Sequence, residues 1–205
     1  MESYNHQNLK ANATNTHFEA LFAGWVHKRF FKRPGKLCDV GSGNGSNSLA
    51  FQKKGYKVTV LDKDSFYFDR LRSKGVECKK INLDQSKFPF KQGEIDFFFA
   101  KSIIEHLKEP LDFLKEANRC LKKGGKIFLL TPDWNKNFND FYNDPTHKSP
   151  FTKRSMVMAL NMAGFKVIKV RNFKNVPYLW RFFPIKAFDI DWFGSNNFLA
   201  VAKKI

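Results

Sequence analysis

The sequence predicts an α/β protein, a sheet with helices on both faces. Three observations carry this. The run Lys36-Leu-Cys-Asp-Val-Gly-Ser-Gly-Asn-Gly45 reads as a buried strand that stops in a glycine turn, and Ser46 to Lys54 then reads as a helix closed by Gly55. Beyond it, short apolar runs and helix-length stretches keep alternating to the C-terminus. The chain has 205 residues, enough for one well-buried domain and short for two.

The elements follow in order. Met1 to Asn15 is polar without an apolar leader core, and no run reaches bilayer length, so a cytoplasmic protein is expected. Thr16-His-Phe-Glu19 has the capping-box pattern, and Phe18, Leu21, Phe22, Trp25, Val26 and Phe30 recur at helical spacing. This helix should roof the site or pack over the sheet edge, making residues 1–35 a helical extension of a domain over 36–205. Its tail, Lys28 to Arg33, suits a helix C-terminus better than a phosphate site, and Pro34-Gly35 ends it. Tyr56 to Leu61 is a second strand. A helix near Ser65 to Lys74, closed by Gly75, leads to a third strand over Val76 to Leu83. Ile95 to Ala100 carries three consecutive phenylalanines, as suits a strand covered on both faces. Pro110 opens a helix to Leu121, Gly124-Gly125 turns the chain, and Lys126 to Thr131 is the fifth strand. Thr152 to Ala163 is a capped helix with Gly164 behind it, Phe165 to Val170 the sixth strand and Asn197 to Lys203 the last. Residues 132–151 and 171–196 are expected as loops on the substrate side. Within the second, Val176 to Phe188 is aromatic, basic and bounded by prolines, which suits a lid packed on the sheet more than a surface resting on lipid.

Composition bounds the partners. The chain has 36 basic against 19 acidic residues, a net charge of +17 that attracts polyanions such as nucleic acid, anionic lipid or phosphorylated small molecules. Lysines scattered beside abundant Asn and Phe are equally what a compositional bias would produce, and the two readings weigh evenly. Cys38, Cys78 and Cys120 lie far apart with no CxxC, so neither a disulfide framework nor a zinc site is expected. No other metal is expected, because no paired carboxylate and amide stand at the fourth and fifth strand tips.

In open α/β sheets, ligands bind beyond the carboxyl ends of the strands. Those tips carry Asp39 with its glycines, Asp62, Asp84, Lys101 and Thr131 to Trp134. A dinucleotide fingerprint needs GxGxxG; here the third glycine comes one residue early and Ser46 takes its place, which disfavours a nicotinamide-linked oxidoreductase. The DxGxGxG pattern, with Asp62 about twenty residues on to accept from a ribose diol, resembles motif I of the class I S-adenosylmethionine (SAM) dependent methyltransferases. The resemblance runs from about Lys36 to Ile205. It implies a Rossmann-like fold with a mostly parallel seven-stranded sheet and an antiparallel last strand, and SAM as cofactor. Carried onto this sequence, it makes Asp39, Gly41, Ser42, Gly43 and Gly45 the cofactor loop, sets Asp62 and Lys63 at the ribose and Asp84 and Gln85 at the adenine, and turns Lys101 toward the methionine half.

Ile103-Ile-Glu-His-Leu107 resembles the family's Glu-His-Leu element. Phe141-Tyr-Asn-Asp-Pro-Thr-His-Lys-Ser-Pro-Phe-Thr152 is similar to methyltransferases of surface-polysaccharide and other sugar biosynthesis, while the quinone-biosynthesis O-methyltransferases share the Glu-His element. The implied acceptor is a small molecule, a hydroxyl of a sugar or sugar-linked lipid, with quinone O-methylation as the alternative. The charge is compatible with a phosphorylated or lipid-linked acceptor and with peripheral membrane contact. Nucleic acid is the less favoured partner: the fourth strand tip reads Ala100-Lys-Ser102 instead of Asn/Asp-Pro-Pro-aromatic, Asn175 to Tyr178 lacks the first proline, and no nucleophilic cysteine stands at a tip. Deprotonating a hydroxyl calls for a base of near-neutral pKa. His147, with Asp144 nearby to orient it, is the first candidate and His106, beside Glu105, the second; His6, His17 and His27 read as structural.

Overall fold

The computed structural model describes residues 16–85, 87–173, 188 and 195–205. Helix α1 (Thr16–Val26) runs into a π-helical turn (His27–Phe31) that Lys32 ends at φ 69°. Strand β1 (Lys36–Val40), helix α2 (Ser46–Gln52), β2 (Lys57–Asp62), α3 (Phe68–Arg72) and β3 (Glu77–Lys80) form the first half. The second half comprises β4 (Ile95–Lys101), a 3-10 turn (Ile104–His106), α4 (Pro110–Cys120), β5 (Leu121–Pro132), α5 (Trp134–Asn137), a 3-10 turn (Phe141–Asn143), α6 (Lys153–Met162), β6 (Phe165–Phe173) and β7 (Asn197–Lys204). The seven strands make one sheet in the order β3-β2-β1-β4-β5-β7-β6. All neighbours are parallel except β7, which runs antiparallel to β5 and β6. The expected α/β architecture and antiparallel last strand are both present.

Side-chain alternation in β4 shows why three phenylalanines stand in a row. Phe97 and Phe99 face the α1 and α2 side, where Phe99 lies 5.1 Å from the Phe51 ring, 5.4 Å from Phe128 and 6.2 Å from Phe22. Phe98 faces the other side, in the core that includes Phe113 and Leu114 of α4 and Met156 and Leu160 of α6. Each such ring contributes about 1.5–3 kcal/mol of burial, so one strand holds both helical layers. Helix α1 adds Phe22 and Trp25, both fully buried, to the first layer. Cys38, Cys78 and Cys120 are buried and unpaired.

Several boundaries differ from expectation. The first helix is α-helical only to Val26 and continues as the π-helical turn through Phe31, and Glu19 is buried against Lys101 instead of turning back to cap the helix. Strand β5 starts at Leu121: Leu121 pairs with Ile95 and Lys126 with Phe97, so Gly124-Gly125 lies in a bulge within the strand. Strand β3 is an edge strand that pairs with β2 from Glu77 to Lys80 and ends there, and α3 is short because Asp64 accepts from the Phe66 amide and keeps the preceding residues in a turn. The lid expected over Val176 to Phe188, with Asn175 to Tyr178, lies outside the described residues except for Phe188. That ring stacks on Phe173 at 6.1 Å and meets Phe22 and Trp25. Among the described residues, no helix is long and apolar enough to cross a membrane.

The functional consequence lies at β1. It pairs with β2 on one side and β4 on the other, setting Val40 beside both Leu61 and Ala100. The connections leaving the carboxyl ends of the adjacent β1 and β4 therefore run in opposite directions, and that is where such sheets open a crevice.

Candidate cofactor and active site

The turn after β1 is braced from below. Asp39 is 2 % exposed, and the Ser48 hydroxyl donates to its Oδ2 at 2.5 Å, tying the strand to the first turn of α2. Burial pushes the Asp39 carboxyl up to about 7; Ser48 opposes the rise, Asp62 and Glu19 add to it, and Lys101 offsets part of it. Gly41 stands at φ 66°, where a Cβ would come within 2.7 Å of Ile103. Ile103 closes on the turn because Ser102, at φ 53°, reverses the chain just past β4. Gly41→Ala is therefore expected to cost at least about 1–2 kcal/mol from the left-handed backbone alone, seen as a lower urea midpoint with unchanged m. An unaltered midpoint would show that the turn leaves the left-handed conformation without cost. Above the turn the backbone is open: a Cβ on Gly43 would meet nothing within 4 Å.

Asp62 ends β2 beside this turn. Its Oδ2 accepts from the Gly43 amide at 3.3 Å and its Oδ1 from the Asp64 amide at 3.0 Å, and burial raises its pKa against those bonds. A cavity of about 360 Å³ opens there, walled by Asp62, Lys63, Asp84, Gln85, Ile103 and His106, among others. Asp84 is partly committed, since its Oδ1 accepts from the amides of Lys108 at 2.8 Å and Glu109 at 3.3 Å. Gln85 accepts from the Asn82 side chain. Lys101 is not among the residues of this wall. Its Nζ donates to Glu19 Oε1 at 2.6 Å beneath α1.

On the far wall, the 3-10 turn presents Glu105 inward and His106 to the cavity. Glu105 is 1 % exposed and accepts from the Thr131 hydroxyl at 3.0 Å, while its backbone carbonyl holds the amides of Lys148 and Ser149. That pair of backbone bonds sets the loop from Phe141 to Thr152 against the turn, with the His147 ring 4.7 Å from His106. Proton positions follow from the donors. Thr146 gives its single hydroxyl proton to Asp144 Oδ1 at 2.6 Å, so it accepts from His106 Nδ1–H at 2.9 Å, leaving His106 Nε2 with the lone pair. His147 Nδ1–H likewise donates to the Phe141 carbonyl at 2.6 Å, leaving its Nε2 as an acceptor. Burial holds the His106 pKa below the ordinary imidazole value, and His147 beside it lowers it further.

Two expectations change here. Asp144 does not orient His147 by a hydrogen bond, for its Oδ2 is 3.8 Å from Nε2 and its Oδ1 is engaged by Thr146, whose amide closes an Asp-Pro-Thr turn; the Phe141 carbonyl holds the ring instead. Away from the strand tips, from which no metal was expected, Glu105, His106 and His147 each bring an atom able to ligate a metal within 4.8 Å of the other two.

Burial pushes Glu105 up from 4.5 to about 7. The folded protein thus keeps a proton that the unfolded chain has released across this window, and stability falls as pH rises through it. Glu105→Gln removes this dependence, which is worth up to about 3 kcal/mol. The variant is expected to melt several degrees above the parent at about pH 8 and to approach it at about pH 5, at roughly 2–4 °C per kcal/mol. Parallel melting curves at both pH values would show that Glu105 is solvated when charged.

Comparison with known proteins gives this geometry a family. The methyltransferase domain matches residues 4–170. The chain belongs to that family. SAM, expected from the glycine turn, is the cofactor of this class. Among its relatives, the chloroplast 2-methyl-6-phytyl-1,4-hydroquinone methyltransferase of Arabidopsis thaliana is 29% identical over 141 residues, covering 66% of this chain and 41% of that one. The ubiquinone biosynthesis O-methyltransferase of Pseudomonas aeruginosa is 26% identical over 119 residues, 54% of this chain and 50% of the other. The chain thus spans half or less of the length of these curated relatives. In fold, a SAM-dependent methyltransferase from Archaeoglobus fulgidus superposes with a TM-score of 0.71 at 19% identity, over 91% of this chain and 94% of that one.

The residues of the chain fit such a cofactor: the backbone over Gly43 is open, the buried Ser42 Oγ beside it has no hydrogen-bond partner, and the carboxylate at the end of β2 accepts from the Gly43 amide. Sequence reasoning gave Glu19 only a capping role and Glu105 only a place in the Glu-His-Leu element, and missed Asn82. Glu19 carried a further signal, since it interrupts the apolar stripe one residue after Phe18 and three before Phe22. The burial of Glu105 and the contact of Asn82 carried none, because a buried Glu and a turn Asn read like solvated ones.

Proposed function

We propose that this methyltransferase transfers the methyl group of SAM to a hydroxyl oxygen of a small polar acceptor, a sugar or sugar-linked lipid. The observation behind this reading is one cavity lined together by Asp62, Asp84 and His106, with the His147 ring against His106. Bound SAM supplies a methyl already activated on sulfur. The protein's part is then to orient, to exclude water and to take one proton. In this reading Asp62 accepts from the ribose diol, with Lys63 beside it. The second carboxylate oxygen of Asp84 and the Gln85 backbone meet the adenine. Gly41, Ser42, Gly43 and Gly45 let the main chain approach the cofactor, and Asp39 acts from beneath them through Ser48. His147 takes the acceptor's proton at Nε2, and His106, whose ring lies 4.7 Å away, positions the acceptor.

The sugar class rests on the resemblance of the Phe141 to Thr152 segment. A second reading, a hydroquinone ring hydroxyl, is favoured by the names of the curated relatives and by Phe138, just before this segment, and Tyr142, within it, which are 59% and 57% exposed. The test is methyl transfer from labelled SAM to sugar nucleotides, glycolipids, hydroquinones and RNA, with and without a chelator. Label on a sugar hydroxyl, insensitive to chelation, is expected. Label on the hydroquinone selects the second reading, label on RNA revives the charge-based one, and chelator loss restored by a divalent ion would make Glu105, His106 and His147 a metal centre instead of a proton-transfer group.

A further inference from the structure

We infer that Glu19 of α1 and Lys101 of β4 form a clamp for a zwitterionic α-amino acid group, with Glu19 taking the ammonium and Lys101 the carboxylate. This rests on the SAM reading, whose amino-acid end it locates. The register fixes the place. Val40 lies opposite Ala100, so Lys101 stands beside Gly41 on the β4 side of the glycine turn, while Asp62 stands on the β2 side. A ligand lying over the turn with its ribose at Asp62 therefore runs toward Lys101.

Glu19 is an unusual partner for a lysine at that tip. It is 7 % exposed, and its Oε1 accepts from Lys101 Nζ at 2.6 Å. Its Oε2 is also buried and has no hydrogen-bond partner. A buried ion pair is retained at a desolvation cost of several kcal/mol per ion unless its remaining lone pairs are satisfied, and a carboxylate offers about four acceptor sites. An unsatisfied oxygen in that setting is explained by a donor that arrives with a ligand. Lys101 is held over the faces of Phe22 at 5.5 Å and Phe18 at 5.8 Å, and its side chain keeps 24% exposure. It has three donors and spends one on Glu19. Adjacent opposite charges, one with a free buried acceptor and one with free donors, complement the adjacent ammonium and carboxylate of an α-amino acid. A pair of purely structural use would need no vacant oxygen.

Calorimetry tests this with S-adenosylhomocysteine, its deaminated analogue lacking only the α-amine, and 5′-methylthioadenosine, which lacks the amino-acid end. The parent protein is expected to bind the deaminated analogue at least about tenfold more weakly than S-adenosylhomocysteine, and Glu19→Gln to abolish that preference. Lys101→Met should weaken S-adenosylhomocysteine about tenfold, and both variants should keep parental affinity for methylthioadenosine. Equal affinity of the parent for the two homocysteine ligands overturns the clamp without needing any variant to fold. So does a preference that survives Glu19→Gln. If the parent binds none of the three, the SAM reading itself fails.

Discussion

Asp62→Ala is expected to weaken S-adenosylhomocysteine binding about a hundredfold or more. A carboxylate accepting two ribose hydroxyls makes two charge-assisted hydrogen bonds, each worth roughly 1.5–3 kcal/mol, and both vanish with the side chain. The same carboxylate also steadies the turn through the Gly43 amide, so part of the loss is a looser loop. Asp62→Asn separates the two contributions, since an amide oxygen can still accept from Gly43 while the charge is gone. An intermediate affinity for the Asn variant and a near-absence of binding for Ala is the expected order in calorimetry. Equal binding by parent and Asp62→Ala would overturn the cofactor assignment at this strand end.

His147→Gln should lower kcat with the true acceptor by about 10² to 10⁴-fold, the usual contribution of a positioned base, and leave S-adenosylhomocysteine binding unchanged. Gln fills much of the ring's volume against Phe141 and His106, which lie 4.4 and 4.7 Å away between ring centres, so the loop should stay in place. The acid limb of the pH–rate profile should disappear with the imidazole. If kcat and profile are unchanged, His147 is not the base. His106→Gln then becomes the decisive variant, because its Nε2 also carries a lone pair, and its lowered pKa keeps the ring neutral to lower pH.

The elements were legible in the sequence where local physics decided them. The glycines at 41, 43 and 45 mark a strand-to-helix turn because only that backbone tolerates positive φ there. The phenylalanines at 97, 98 and 99 mark a doubly covered strand because alternation sends them to opposite faces. The capped start of α6, where Thr152 and Ser155 hydrogen bond reciprocally, was readable from residue types alone. Element ends were less so. The bulge at Gly124-Gly125 exists because Leu121 finds Ile95 as a partner, a contact between residues distant in the chain.

Sequence by itself determined the fold class, the family and the residues of the glycine turn after β1, because short-range spacing encodes backbone conformation. Tertiary structure decided which charges meet. Glu19 lies 82 residues from Lys101, and Thr131 lies 26 from Glu105, so neither pairing has a local signature. The same distance hid the environment of His147, whose tautomer is set by a carbonyl six residues back and whose neighbour His106 comes from another element. Burial, which raises Asp39 and Glu105 to about 7, is likewise a property of what the chain packs around a side chain and not of the side chain's place in the sequence.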